Sequence, residues 1–270
     1  MYSSFDRPLL LGIAVLLASC GPSNPSPVAE ELLSDPKVSA RVPPPQELID
    51  DLVGTWMPTD YCECLFAKRS AFACGQGLDN IYTLFVERHG KDSLHWSYIT
   101  THEGGPEAIL GYDATRSAFT YAPAPEEHLG HALVELRSMG PRTLACRDDQ
   151  NKEPQRFQRV ANTDALLNEA LFQGSYVDEN NEDTLLFAAD GTILGLSDLD
   201  HFSVLTDFTE GLDDRDIVFL SPGSDYDWTT DSYHYRHDGD VLLLYPMLAT
   251  DTEYVYRMTE VMYRLRRVSE

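Results

Sequence analysis

The chain has 270 residues, of which 43% are hydrophobic and 24% charged, with a formal net charge of −24. That length suits one large domain or two small ones, and the apolar fraction excludes a chain disordered throughout. So acidic a surface repels nucleic acid and anionic membranes, which excludes polyanion binding as its main task.

In chain order, the first feature is an apolar run that opens at Leu9 and closes on Leu17-Ala18-Ser19-Cys20. The eleven residues from Leu9 to Ser19 fall short of the roughly twenty needed to cross a bilayer. With Arg7 ahead of the run and small residues at its end, residues 1–19 read as a cleaved signal peptide. Leu17-Ala18-Ser19-Cys20 resembles the lipobox of bacterial lipoprotein signal peptides. The resemblance implies cleavage before Cys20, a diacylglycerol on its sulfur, acylation of the new amino terminus, and hence lipidation of Cys20 as a membrane anchor. In enterobacteria an Asp after that cysteine retains a lipoprotein in the inner membrane. Gly21 stands there, so the resemblance implies the outer membrane, with the body facing the periplasm.

Residues 20–46 form the second segment, with seven prolines between Gly21 and Gln46. Such a stretch stays extended and builds no core, so it serves as a tether. Beyond it lie Cys62, Cys64, Cys74 and Cys146, an even number in an exported protein. Two disulfides are the expected reading, with the Cys62–Cys64 pairing disfavoured by its strained ring. A zinc site from Cys62, Cys64 and Cys74 is the competing reading.

A weak internal repeat sets the architecture. Leu48-Ile49-Asp50-Asp51-Leu52-Val53-Gly54-Thr55-Trp56 opens one unit, and Leu166-Leu167-Asn168-Glu169-Ala170-Leu171-Phe172-Gln173-Gly174-Ser175-Tyr176 opens the other. Each unit closes on an Arg-rich strand, Arg156-Phe157-Gln158-Arg159-Val160 and Arg264-Leu265-Arg266-Arg267-Val268. A short helical turn leads into each unit, with Asn162 or Thr163 as N-cap of the second. Between the ends, short β-branched and aromatic runs read as strands: 82–86, 95–99, 132–136 and 142–146, then 184–187, 202–206, 216–220, 233–235 and 241–245. Asp190-Gly191, Pro222-Gly223 and Asp238-Gly239 mark turns. About eight strands per unit are expected. The fold class is therefore all-β, two tandem small antiparallel β-barrels over residues 47–161 and 162–270. Residues 47–165 carry 18 acids against 11 Lys or Arg, whereas residues 166–270 carry 22 acids against 6 Arg, so the second unit is the strongly acidic one.

These units look like lipocalin-like, more broadly calycin-type, barrels. The resemblance rests on Gly54-Thr55-Trp56 after a helical turn and on an arginine of the last strand, Arg156 or Arg159. It implies that the tryptophan packs beneath the arginine and closes one barrel end, an arrangement that gains cation–π attraction. In the second unit the corresponding set is Gly174 and Tyr176 with Arg264 or Arg266.

Candidate chemistry is sparse. Asp198, Asp200, Asp213, Asp214, Asp216, Asp225, Asp227 and Asp231 cluster in the second unit. An EF-hand loop starting at Asp225 is excluded because Thr230 and Arg236 replace the required Gly and Glu. A looser calcium site stays open beside the reading of solvated loop acids. His128 with His131, and His234 with His237, are the close histidine pairs, but a three-residue spacing on a strand sends side chains to opposite faces. No nucleophile elbow or phosphate-binding glycine loop occurs. The expectation is a non-enzymatic, membrane-anchored binding module without catalytic residues, metal or cofactor. Its partner would be a cationic protein or a small apolar ligand; an inhibitor of a basic protein such as lysozyme and an envelope enzyme are the alternatives.

Overall fold

The computed structural model describes residues 43–76, 78, 81–100, 104–121, 133–148, 153–196, 198–206, 215–223, 231–249 and 256–268. Cys20 and residues 21–42 of its tether lie outside the described residues, as do His128, His131, Asp213, Asp214, Asp225, Asp227 and Thr230.

Helix α1 (Gln46–Leu52) leads into β1 (Gly54–Pro58), followed by α2 (Thr59–Lys68) and α3 (Ala71–Gly75). A meander then runs through β2 (Thr83–His89), β3 (Ser93–Ile99), β4 (Gly104–Asp113), β5 (Ala118–Thr120), β6 (Leu133–Ser138), β7 (Thr143–Asp148) and β8 (Gln155–Val160). Each strand pairs antiparallel with the next, and β8 pairs back on β1 to close the barrel. Period-two patterning fills it. In β3, Leu94, Trp96 and Tyr98 are buried between partly exposed neighbours. With Trp56, Leu84, Leu110, Phe119, Leu136, Leu144 and Phe157 they form one core, onto which Ile49 and Leu52 of α1 pack. Fully burying each such side chain contributes roughly 1.5–3 kcal/mol.

The second sheet repeats this plan. Helix α4 (Thr163–Leu171) precedes β9 (Gly174–Asp178), β10 (Thr184–Phe187), β11 (Ile193–Leu194), β12 (His201–Val204), β13 (Ile217–Ser221), β14 (Asp231–Asp238), β15 (Val241–Ala249), β16 (Tyr256–Met258) and β17 (Tyr263–Arg267). Strand β17 pairs with both β9 and β15, while β16 is an outgrowth on β15. Between β11 and β12 the ladder narrows to one bridge, Thr192 to His201, flanked by Ile193 N–H to Asp200 C=O and Phe202 N–H to Gly191 C=O. The sheet thus curls into a barrel with the strand order of the first. Asn162 accepts a hydrogen bond from Ala165 N–H and caps α4, as its side chain suits.

Three features differ from the sequence expectation. Helices α2 and α3 are inserted between the first two strands, in a cysteine-bearing stretch where Tyr61 and Leu65 form an i, i+4 pair. Strands β4 and β5 stand beyond the strands expected from sequence, β4 because it opens on Gly104-Gly105-Pro106, a turn-like run. Gly105 is required by close approach, since a Cβ there would lie 2.0 Å from the Tyr98 ring. Lastly, the described residues hold one disulfide, not two: Cys64–Cys74, spanning ten residues and clamping α2 to α3. Closing so short a loop is worth about 2–3 kcal/mol in the chain-entropy treatment. Cys62 and Cys146 keep their thiols because they belong to different cores, Cys62 outside the first barrel's wall and Cys146 inside it.

Candidate functional site

Both barrels close their helical end by the same device. A helix leaves its last carbonyls without intrahelical partners. Here the ring two residues into the first strand supplies a donor: the Trp56 Nε1–H donates to Leu52 C=O at 2.9 Å, and the Tyr176 hydroxyl to Phe172 C=O at 2.8 Å. An arginine of the last strand supplies the rest. Arg159 donates to Asp50 C=O at 3.0 Å and Asp51 C=O at 2.7 Å, and Arg267 donates to Gln173 C=O at 2.6 Å. The cationic group also meets the negative end of the α1 dipole. Arg159 lies 4.9 Å from the centroid of the Trp56 ring.

Gly54 and Gly174 share a φ of +148°, which side chains rarely adopt; a Cβ at Gly174 would also crowd Arg267 at 3.0 Å, whereas one at Gly54 would meet Arg159 at an ordinary contact distance of 3.7 Å. The replacement of Trp by Tyr is explained by the polar tip, which both rings carry and phenylalanine lacks.

The arginine assignments change accordingly. In the first unit Arg159 meets Trp56, while Arg156 points outward on β8. In the second unit the counterpart is Arg267, not Arg264 or Arg266; both of those pair with Glu179. The alternation of β17 puts Arg264 and Arg266 on its outer face beside Glu179. Aligning Arg159-Val160 with Arg267-Val268 would have located the right residue from sequence.

The α2–α3 hairpin forms a seam between the two barrels. On one side α2 covers the outer wall at β1 and β8, burying Met57 and Val160. On the other, Tyr61, Cys62, Leu65, Ala71 and Cys74 join a single cluster with Leu171, Phe172, Phe202, Tyr235 and Leu244 of the second barrel. The first three amides of α3 are all satisfied by side chains. Ala71 N–H donates to the Tyr235 hydroxyl at 3.3 Å, Phe72 N–H to the Asp216 carboxylate at 2.8 Å, and Ala73 N–H to Ser70 Oγ at 3.0 Å. Asp216, singled out from sequence as a calcium candidate, therefore ties the hairpin to the second barrel. A cleft of about 430 Å³ opens beside this seam, lined by Thr55, Thr83 and Phe85 of the first barrel and by Asn162, Thr163 and Thr206. Thr83 Oγ1 and Thr163 Oγ1 lie 3.3 Å apart across it.

Electrostatics hold the seam's buried groups neutral. Burial pushes the Cys62 thiol up to about 12, which removes nucleophilic character at neutral pH. Burial likewise raises the phenols of Tyr61, Tyr82 and Tyr235. His237, beside Phe172 and Tyr235 with ring centroids 6.2 and 6.1 Å away, is lowered to about 4, first by burial and then by the Arg69 charge. Its Nε2 is buried without a hydrogen-bond partner among the described residues.

A histidine depressed in the fold contributes stability that is fully present above its unfolded value near 6.5 and is lost as pH falls toward 4. His237→Phe should therefore leave stability at pH 7 within about 1 kcal/mol and raise it by about 2 kcal/mol relative to the parent at pH 5. Urea midpoints at the two pH values check this, and an equal effect at both would contradict it.

The remaining sequence candidates do not converge. Asp200 is held below the usual carboxylate range by His201, and then by the Gly223 amide. Asp231 is exposed on β14. His234 hydrogen-bonds Asp216 C=O through Nδ1 at 2.9 Å, on the face of β14 opposite to His237. Among the described residues no three His, Cys, Asp or Glu side chains gather where they could hold a metal ion. No family model matches the chain, and neither a curated protein nor a solved structure matches it.

Proposed function

We propose that the protein is a lipid-anchored, non-enzymatic lipoprotein of the cell envelope whose lipocalin-like barrels bind a partner protein through their outer surfaces. Cys20 would carry the lipid in the outer membrane, and the proline-rich tether would hold the body away from the bilayer on the periplasmic side. The observation that carries the binding mode is the filling of both interiors. Trp56, Trp96, Phe119 and Phe157 in the first barrel, and Phe172, Tyr176, Phe187 and Tyr235 in the second, are all fully buried. Lipocalin-type ligand capture needs an open interior, so a surface-bound protein fits better than a small apolar ligand held inside. The neutral Cys62 and His237 support binding over bond-making chemistry.

The acidic turns of the second barrel favour a cationic partner. Glu182, Asp183, Asp190, Asp198 and Asp240 in the segments between its strands, and Asp238 at the end of β14, are all exposed, and complementary charge steers association. A strongly basic protein such as lysozyme belongs to the class that this charge suits. Two measurements test the reading. Intact-mass analysis of protein from its own membrane fraction should show cleavage before Cys20 and added acyl mass; an uncut, unmodified N-terminus sinks the anchor. Binding to lysozyme as the cationic probe should weaken steeply with added salt, and salt-independent binding or none would count against the acidic-turn mode.

A further inference from the structure

One stretch of the first barrel's outer wall, across β6, β7 and β8, carries the opposite charge. On β6, β7 and β8 the register places Arg137 opposite Ala145 and Ala145 opposite Arg156, so two arginines flank one alanine across three strands. At a strand spacing of 4.7–4.9 Å their Cα atoms stand about 10 Å apart, close enough for both guanidinium groups to reach over the alanine. The small side chain leaves a groove of about 330 Å³, with Arg147 and Pro154 also lining it.

The ion pairs within this wall do not balance. Glu135, with a side chain only 16% exposed, holds Arg137 at 3.1 Å, Arg147 at 3.3 Å and Arg116 at 3.6 Å. Arg116 also meets Asp113 at 3.5 Å. Two carboxylates thus serve three arginines, and Arg156 makes no ion pair among the described residues. In a chain of net charge −24, this local cationic excess among the described residues runs against the overall balance. Glu135 does more than neutralise: by pinning Arg137 and Arg147 it lowers the ordering cost of a ligand contact.

We propose that this groove binds a phosphate monoester, seated over Ala145 between Arg137 and Arg156. A carboxylate has two oxygens, which a single guanidinium fork satisfies. A phosphate monoester carries close to two negative charges and three acceptor oxygens, which suit two arginines converging from opposite strands. The monoester can be free in solution or presented as a lipid headgroup.

Calorimetric titration of the intact chain with glycerol 3-phosphate, and co-sedimentation with phosphatidylcholine vesicles with and without phosphatidic acid, separate these sources. Binding in either arm supports the assignment and says whether the phosphate is free or on a lipid. Arg156→Gln and Arg137→Gln should each weaken it about tenfold or more, in line with the loss of a hydrogen bond to a charged group. Arg156→Lys should fall between, because it keeps the charge and loses the fork. Arg88→Gln, which removes an exposed pair with Asp50 elsewhere on the barrel, should leave binding unchanged. The absence of saturable binding in both arms overturns the proposal, as does binding that survives Arg156→Gln or is matched by succinate.

Discussion

Replacing Leu65 with alanine is expected to lower stability by about 2–5 kcal/mol, the range for deleting a fully buried leucine, and to loosen both barrels at once. Leu65 is 0% exposed and lies in the cluster that joins α2 to the second barrel. That cluster is shared: Met57, Tyr61 and Val160 come from the first unit, Leu171, Phe202 and Tyr235 from the second. The Ala71–Tyr235 and Phe72–Asp216 hydrogen bonds fix the hairpin at the same place. A cavity at Leu65 therefore removes contacts from two sheets. Urea denaturation gives the magnitude, and hydrogen exchange with peptide resolution shows where protection is lost. A fall in protection confined to the first barrel would mean that the hairpin merely decorates it.

Trp56→Ala is expected to cost about 3–5 kcal/mol, as large-to-small changes of buried aromatics do. Two conservative changes divide that cost. Trp56→Phe keeps much of the apolar area but leaves Leu52 C=O unpaired and weakens the Arg159 contact, a loss of about 1–3 kcal/mol. Tyr176→Phe removes one hydroxyl and its bond to Phe172 C=O, for about 1–2 kcal/mol. Thermal unfolding of the three variants checks the order. If Trp56→Phe and Tyr176→Phe were both neutral, the aromatic residues would act only as filler, and the polar tip would not explain why Trp and Tyr exchange between the units.

Much of this architecture is legible in the sequence because periodicity and turn chemistry are local. The runs at 184–187 and 241–245 alternate or stay continuously apolar, and Asp238-Gly239 lies at the β14–β15 turn, so these strands declare themselves. The repeat is legible because each barrel must satisfy the carbonyls of its lead-in helix, which conserves the spacing from Gly to aromatic ring. The α2–α3 hairpin is not legible because its value is tertiary. Tyr61 and Leu65 face a barrel more than 100 residues away, and nothing in the run Thr59 to Lys68 says what they will meet. The disulfide pattern fails for a related reason. Counting cysteines supplies an even number, but only the fold shows that Cys62 and Cys146 point into separate cores. The arginine groove lies across three strands, with Arg137, Ala145 and Arg156 adjacent through register alone. Strand pairing creates that neighbourhood, and single-strand patterning does not reveal it.

Cooperation between the barrels through the α2–α3 hairpin is tested most directly by native-state hydrogen exchange at increasing denaturant, following amides of β2–β3 and of β14–β15. The predicted result is that the slowest amides of both sheets merge into one global unfolding free energy, and that Leu65→Ala lowers both by the same amount. Two separate limiting free energies, with Leu65→Ala shifting only that of β2–β3, would contradict a shared core.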